Sequence, residues 1–188
     1  MWAKVESNSV TKIYTRSTAL TIGDVNYPPN IMSIWSASEL EAIGIYAITV
    51  DSTNLKDERY YQNTDVTYTY NSGAVTGAYG TATAKALINL LYTAQNESDG
   101  LGTEGEVRTL GLKTTHKESI NSQANVLLQE YDWYTLREAS GGTATPSAVT
   151  TYQAAVRTKA NEHTTAIDAA ANVDALAALT FEGPSKPS

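Results

Sequence analysis

The spacing of apolar residues changes period once along this chain, near Thr81, and that change limits the folds open to it. Before it, apolar and polar residues alternate, which is the two-residue period of half-buried strands. After it, apolar residues recur three and four apart, the period of amphipathic helices. A run of strands followed by a run of helices does not make the repeating strand–helix–strand units of a parallel sheet. The spacing therefore predicts an α+β protein: an N-terminal antiparallel β-sheet with a short helix, followed by a C-terminal antiparallel helical hairpin.

The strand half can be read turn by turn. Trp2, Lys4 and Glu6, then Val10, Lys12 and Tyr14, alternate with Val5, Thr11 and Ile13 about Ser7-Asn8-Ser9, a hairpin over residues 2–15. Residues 19–25 add a strand closed by Asn26-Tyr27-Pro28-Pro29, whose adjacent prolines hold the backbone extended and admit no helix. Ser36-Ala37-Ser38-Glu39-Leu40-Glu41 contains the capping-box spacing twice, as Ser36 with Glu39 or Ser38 with Glu41. It starts a short helix with Leu40 and Ile43 inward and Gly44 as its stop. Strands follow at 45–51, 57–63 and 66–70, then an Asn71-Ser72-Gly73 turn and a return strand at 74–79. Tyr68 and Tyr70 lie on one face of that hairpin, Thr67 and Thr69 on the other.

In the helical half, Ala84, Leu87, Ile88 and Leu91 predict a helix over 82–95, with a flexible polar connector at 96–105. A helix from Glu106 carries Leu110, Lys113, His116, Lys117, Ile120, Ala124, Leu127 and Leu128 on one face, and Gly111 weakens its start. The chain breaks at Ala139-Ser140-Gly141-Gly142-Thr143. Thr145 then caps a second helix whose first position is Pro146, where a missing N–H costs nothing. Its stripe is Val149, Tyr152, Val156, Ala160, His163, Ile167 and Ala170, which a short connection sets antiparallel to the first stripe. Asn172 caps a last short helix with Leu176 and Leu179. The organisation is a β-rich domain at 1–80, a helix and connector at 81–105, a helical hairpin module at 106–180 and a tail at 181–188, disordered or strand-like.

Composition narrows the chemistry. A net charge of −7 with thirteen scattered Lys and Arg argues against nucleic-acid binding, which depends on clustered cations. The absence of Cys excludes disulfides, thiol catalysis and zinc–thiolate sites. No segment approaches the ~18 apolar residues of a membrane helix, so no membrane insertion is expected, and the first ten residues do not read as a secretory signal. Twelve Tyr against one Phe suit strands and partly wet interfaces, because Tyr joins an apolar body to a hydrogen-bonding tip. His116 and His163 stand singly, without metal-ligand spacing, and read as helix-interface or surface residues.

Gly77-Ala78-Tyr79-Gly80 leads from a strand into the expected helix, a place where phosphate can dock, but lacks the rest of a phosphate-binding pattern. Residues 96–105 lack the spaced acidic ligands of a calcium loop. The pairs Asp57/Glu58 and Asp168/Asp174 sit in capping or solvated settings. No catalytic, cofactor-binding or metal residue is assigned, no cofactor is expected, and an enzyme is not expected.

Residues 127–157 gather the most distinctive set: Leu127-Leu128, Asp132-Trp133, Arg137, Pro146, Tyr152 and Arg157. This stretch resembles a C-terminal module of tailed-bacteriophage tail proteins, found in tail fibre assembly proteins and in small phage tail proteins. The family pattern is a Leu pair, an Asp-Trp, an Arg, a loop, a Pro-started helix with an aromatic, and a further Arg. Where the family often has Thr before Asp-Trp and Arg after the aromatic, this chain has Tyr131 and Gln153. Residues 173–179 resemble the module's short closing helix. The N-terminal MWAK, KIYT and SIWSASELEAIGIY are similar to small tail proteins of marine and cyanobacterial phages.

The resemblance implies a structural component of a virion tail (fibre, baseplate or adaptor), assembled in the bacterial host cytoplasm. Its partners would be other phage tail proteins and copies of itself, as a homo-oligomer. It equally implies a tail fibre assembly chaperone. A third reading is a tail-tip protein that binds a host surface receptor or glycan through Tyr60, Tyr61, Tyr68 and Tyr70. The interaction candidates are Trp133, Asp132, Arg137, Pro146, Tyr152 and Arg157. Trp133 is expected to cover the open end of the helix pair, burying ~150–250 Å², so that Trp133→Ala costs ~3–5 kcal/mol. Asp132 and Arg137 are placed to pair with each other or to bond backbone at the bend.

Overall fold

Ser7 and Asn8 both take left-handed φ angles, 51° and 61°, the turn geometry whose twist matches that of paired strands. They join β1 (Trp2–Glu6) to β2 (Ser9–Tyr14) in a computed structural model that describes residues 1–187. The chain forms two units, Met1–Thr83 and Ala84 onward. The fold is α+β: a mixed sheet curled into a half-barrel comes first and the helices follow.

Residues 19–25 do not form one strand. The chain turns back at Gly23, with φ 59°, giving a small hairpin of β3 (Leu20–Ile22) and β4 (Val25–Tyr27). After the prolines, α1 (Ile31–Ile34) buries Ile31 and Met32. Of the two capping spacings the chain uses the first. The Ser36 hydroxyl accepts from Glu39 N at 3.4 Å, and Glu39 Oε2 accepts from Ser36 N at 2.8 Å, opening α2 (Ala37–Ala42). Hydrogen bonds from the Ser36 hydroxyl and then its backbone hold the Glu39 carboxyl below its ordinary pKa. Gly44 turns the chain at φ 77° into β5 (Ile45–Asp51), passing so close to β1 that a Cβ would stand 3.0 Å from the Val5 carbonyl oxygen.

The expected strand at 57–63 shrinks to β6 (Tyr61–Gln62). Ahead of it the Asp57 carbonyl accepts from both Tyr60 N and Tyr61 N, and its carboxylate holds Arg59, so the backbone is tied into a turn. β7 (Val66–Asn71) and β8 (Ala74–Tyr79) form the expected hairpin, and β6 pairs with β9 (Thr83–Ala84) where the first unit ends. The five-stranded order is β2-β1-β5-β8-β7. Its pairs are antiparallel except β5–β8, which runs parallel. The hairpin docks on β5 by its second strand because β8 carries Val75 and Gly77, small enough to be covered, and that choice sets the direction. β7 comes back alongside β2, which curls the sheet. The core beneath is Leu20, Ile31, Met32, Leu40 and Ile45, ringed by Trp2, Tyr14 and Trp35.

The helix expected over 82–95 does not form. That stretch holds β9, β10 (Leu90–Leu91) and the start of α3 (Ala94–Ser98), and it runs extended across the beginning of α4 (Leu112–Gln129). The reason lies in the free N–H groups that open any helix. Leu112 N donates to Ala86 O at 2.9 Å and Lys113 N to Leu87 O at 3.0 Å. Asn89 Oδ1 takes Gly111 N and the Thr114 hydroxyl, both at 2.8 Å. Gly111 is the crossing point: a Cβ there would lie 2.2 Å from the Ile88 carbonyl carbon. Of the apparent stripe only Leu87 packs on the helical core, and Ile88 is 70% exposed.

The expected connector at 96–105 is built, too. Thr93 and Asn96 cap each other to start α3, and Gly100 and Gly105 at positive φ return the chain to β11 (Val107–Thr109) beside β10. The helix foreseen from Glu106 therefore begins only at Leu112.

The rest of the second unit is α5 (Asp132–Ala139), α6 (Ser147–Ala169) and α7 (Val173–Ala177). Lys117 pairs with Asp168 at 2.6 Å and the Tyr131 ring meets Tyr152 at 5.1 Å, so α4 and α6 run antiparallel. Between them Ile120 and Ala124 face Tyr152, Val156, Ala160 and Ile167, and Leu176 of α7 closes the core. Asn172 caps α7 through Ala175 N at 2.8 Å. Thr145 does not cap α6: its hydroxyl is buried without a partner, and Pro146 occupies the cap position itself. The tail packs Phe181 on this core and pairs Lys186 with Glu130 at 2.6 Å; Ser188 lies outside the described residues. No helix among the described residues is long and apolar enough to cross a membrane.

Candidate interaction site

Residues 127–157 are more than a bend between two helices. α4 continues to Gln129, Tyr131 stands at the cap of α5, and Gly141 at φ 82° ends that helix before the loop to Pro146. The inserted helix decides where each candidate points. Tyr131 and Tyr134 are three residues apart and half-buried, with Tyr131 on the helical core. Trp133, Leu136 and Arg137 follow the same helical spacing on another face. Trp133 is consequently 50% exposed and Leu136 68%. This corrects the expectation of a buried Trp133: Tyr131 is the ring that packs on the core at that end, and it meets Tyr152.

Arg137 organises this outer face. Its guanidinium carbon lies 5.1 Å from the centres of both the Trp133 and the Tyr134 rings, within cation–π range. Its Nε donates to Thr143 O at 3.1 Å and a terminal nitrogen to Ala144 O at 3.3 Å. Of the two roles foreseen for it, Arg137 thus takes the bond to backbone at the bend. Asp132 sits in the first turn of α5, where the helix dipole favours negative charge.

The remaining candidates lie elsewhere. Tyr152 is in the core, only 4% exposed, with a hydroxyl that finds no partner and a pKa that burial raises. Arg157 is exposed on α6 and Pro146 starts that helix. The six candidates therefore make one surface group, Trp133 and Arg137 with Asp132 on the same helix, and three structurally separate residues. Trp and Arg are both among the residue types enriched where proteins meet.

Other sequence candidates resolve into structure. No helix follows Gly77–Gly80: Gly77 lies beneath the Tyr68 ring, and Gly80 N donates to the Thr64 hydroxyl at 2.7 Å. Tyr60 is buried, while Tyr70 meets Tyr46 edge-on at 5.0 Å, so the four tyrosines do not form one exposed strip. His163 packs against Phe181 at 5.7 Å. Among the described residues no three His, Cys, Asp or Glu side chains converge as a metal site.

Sequence reasoning missed the β10–β11 ribbon, which exposes Leu90, Leu91 and Val107. Its signals were present: a Thr93-to-Asn96 capping spacing and Gly105 directly before a β-favouring Val107-Arg108-Thr109. The leucines were absorbed into an apparent helical stripe. No known protein family, curated protein or solved structure matches the chain.

Proposed function

We propose that this chain is a structural component of a bacteriophage virion tail, a fibre, baseplate or adaptor part that works by binding copies of itself and neighbouring tail proteins. The likeness of residues 127–157 to a tail-protein module names the setting. The observation that carries an assembly role is the outward face of α5, where Trp133 and Leu136 are exposed and the half-buried Arg137 lies over the Trp133 ring. A large aromatic held open on a helix by its own arginine is costly to leave in water and suited to meeting a partner.

Mass spectrometry of purified phage particles tests the proposal. A stoichiometric band for this chain is the expected result. Its absence from particles, with capture on fibre proteins during assembly, would refute a virion part and assign the chaperone role instead.

A further inference from the structure

We infer that the outer edge of β11 is a self-association surface, on which a second copy of this chain pairs antiparallel about Val107. The two-stranded sheet β10–β11 has no further strand beside it among the described residues. Strand edges left open in this way present unpaired N–H and C=O groups that template pairing with another chain.

The direction of the free groups follows from one bond. Tyr92 N donates to the Glu106 carbonyl at 2.9 Å, so that oxygen faces the β10 side. Across a trans peptide the next N–H points the opposite way, and no peptide here is cis. Val107 N–H therefore faces outward, and in an extended residue the carbonyl lies on the same side. Two copies meeting at Val107 can exchange both N–H···O=C bonds across a two-fold axis.

The sequence of the edge fits that register. Around Val107 stand Glu106 and Arg108. Arg108 is the extra residue of a bulge, since Leu91 stands opposite Val107 and Leu90 opposite Thr109. The bonds exchanged are therefore those of Val107 alone. A pair centred there brings Glu106 of each copy beside Arg108 of the other, with unlike charges on both flanks. On the other face Leu91 sits across from Val107 within each ribbon. Leu91 is 48% exposed and Val107 45%. In the pair, Leu91, Val107, the second Val107 and the second Leu91 form one apolar row across four strands. The contact is isologous and closes as a dimer. It does not depend on the tail assignment: the same dimer forms whether or not the chain is found in particles.

The test uses the full chain and its charge variants in analytical ultracentrifugation over a wide concentration range. The parent chain is expected to show a monomer–dimer equilibrium. Glu106→Arg and Arg108→Glu each set like charges opposite at both flanks, and each should weaken the dimer at least about tenfold. An equimolar mixture of the two should recover it as a heterodimer, because each like-charged edge then meets its opposite. Val107→Pro, which removes the outward N–H together with the valine side chain of the apolar row, should also abolish it. Matched thermal melts check that the exposed substitutions leave the fold intact. A parent chain that stays monomeric at all concentrations overturns the proposal. So do variants that dimerise as tightly as the parent, or a mixture that fails to recover the dimer.

Discussion

Replacing Gly111 by Ala separates two accounts of the second unit by the sign of its effect. In a helix running on from Glu106, Gly111 would be an interior glycine, and Ala would stabilise by about 1 kcal/mol. In the structure Gly111 is the buried residue over which the extended segment crosses. A Cβ would meet the Ile88 carbonyl carbon at 2.2 Å, its oxygen at 2.5 Å and Asn89 N at 2.7 Å. All three are backbone atoms, so the clash cannot be relieved by rotating a side chain. Overpacking of this kind costs ~1–3 kcal/mol. Moving the segment aside also loosens the bonds from Leu112 N to Ala86 O, from Lys113 N to Leu87 O and from Gly111 N to Asn89 Oδ1, at about 1 kcal/mol each.

Gly111→Ala should therefore destabilise by roughly 4–6 kcal/mol, the sum of the packing and hydrogen-bond losses. Asn89→Ala is the control: it removes the bonds from Gly111 N and from the Thr114 hydroxyl without a clash and should cost ~1–3 kcal/mol. Urea denaturation followed by circular dichroism at 222 nm measures both, with the slope checked for constancy so that the midpoint shift reports stability. A Gly111→Ala protein as stable as its parent, or more so, would refute the crossing and restore a helix through this position.

Trp133→Ala should cost only about 1 kcal/mol in a thermal melt, because half the ring is already in water; a loss of ~3–5 kcal/mol would show a core tryptophan instead. Tyr152→Phe removes a buried hydroxyl that has no partner, and should leave stability unchanged or raise it by up to ~1–2 kcal/mol in urea denaturation; a marked loss would mean that the hydroxyl is bonded. Burial raises the Tyr152 pKa, so its contribution is complete below the ordinary tyrosine value of about 10 and is lost as pH rises through the folded value. Alkaline stability profiles of the parent and of Tyr152→Phe should therefore diverge only there. Glu39 titrates in the opposite sense: its folded pKa is lowered, so the capping box stabilises above the unfolded value and weakens as pH falls through the folded one. Ser36→Ala should lower stability at neutral pH and flatten that acid-side dependence; an unaltered acid profile would refute it.

What could be read from the chain itself was what depends on neighbouring residues. The Ser7-Asn8 turn, the Ser36–Glu39 box, the Asn71-to-Gly73 hairpin, the α6 stripe and the Asn172 cap are set by interactions a few residues apart, and each appears where its pattern stands. The α+β class follows from the same local periods. Tertiary structure alone decided the rest. Whether Ala84, Leu87, Ile88 and Leu91 mark a helix or an extended crossing depends on the open start of α4, more than twenty positions along, which draws the carbonyls of Ala86 and Leu87 to itself. The direction of β8 beside β5 depends on which strand of a hairpin is small enough to be covered. Trp133 faces outward because Tyr131 takes the place on the core beside Tyr152, and no local pattern ranks Tyr131, Trp133 and Tyr134 for that one place. Local spacing fixes which faces are apolar; only packing against distant segments decides which of those faces is buried.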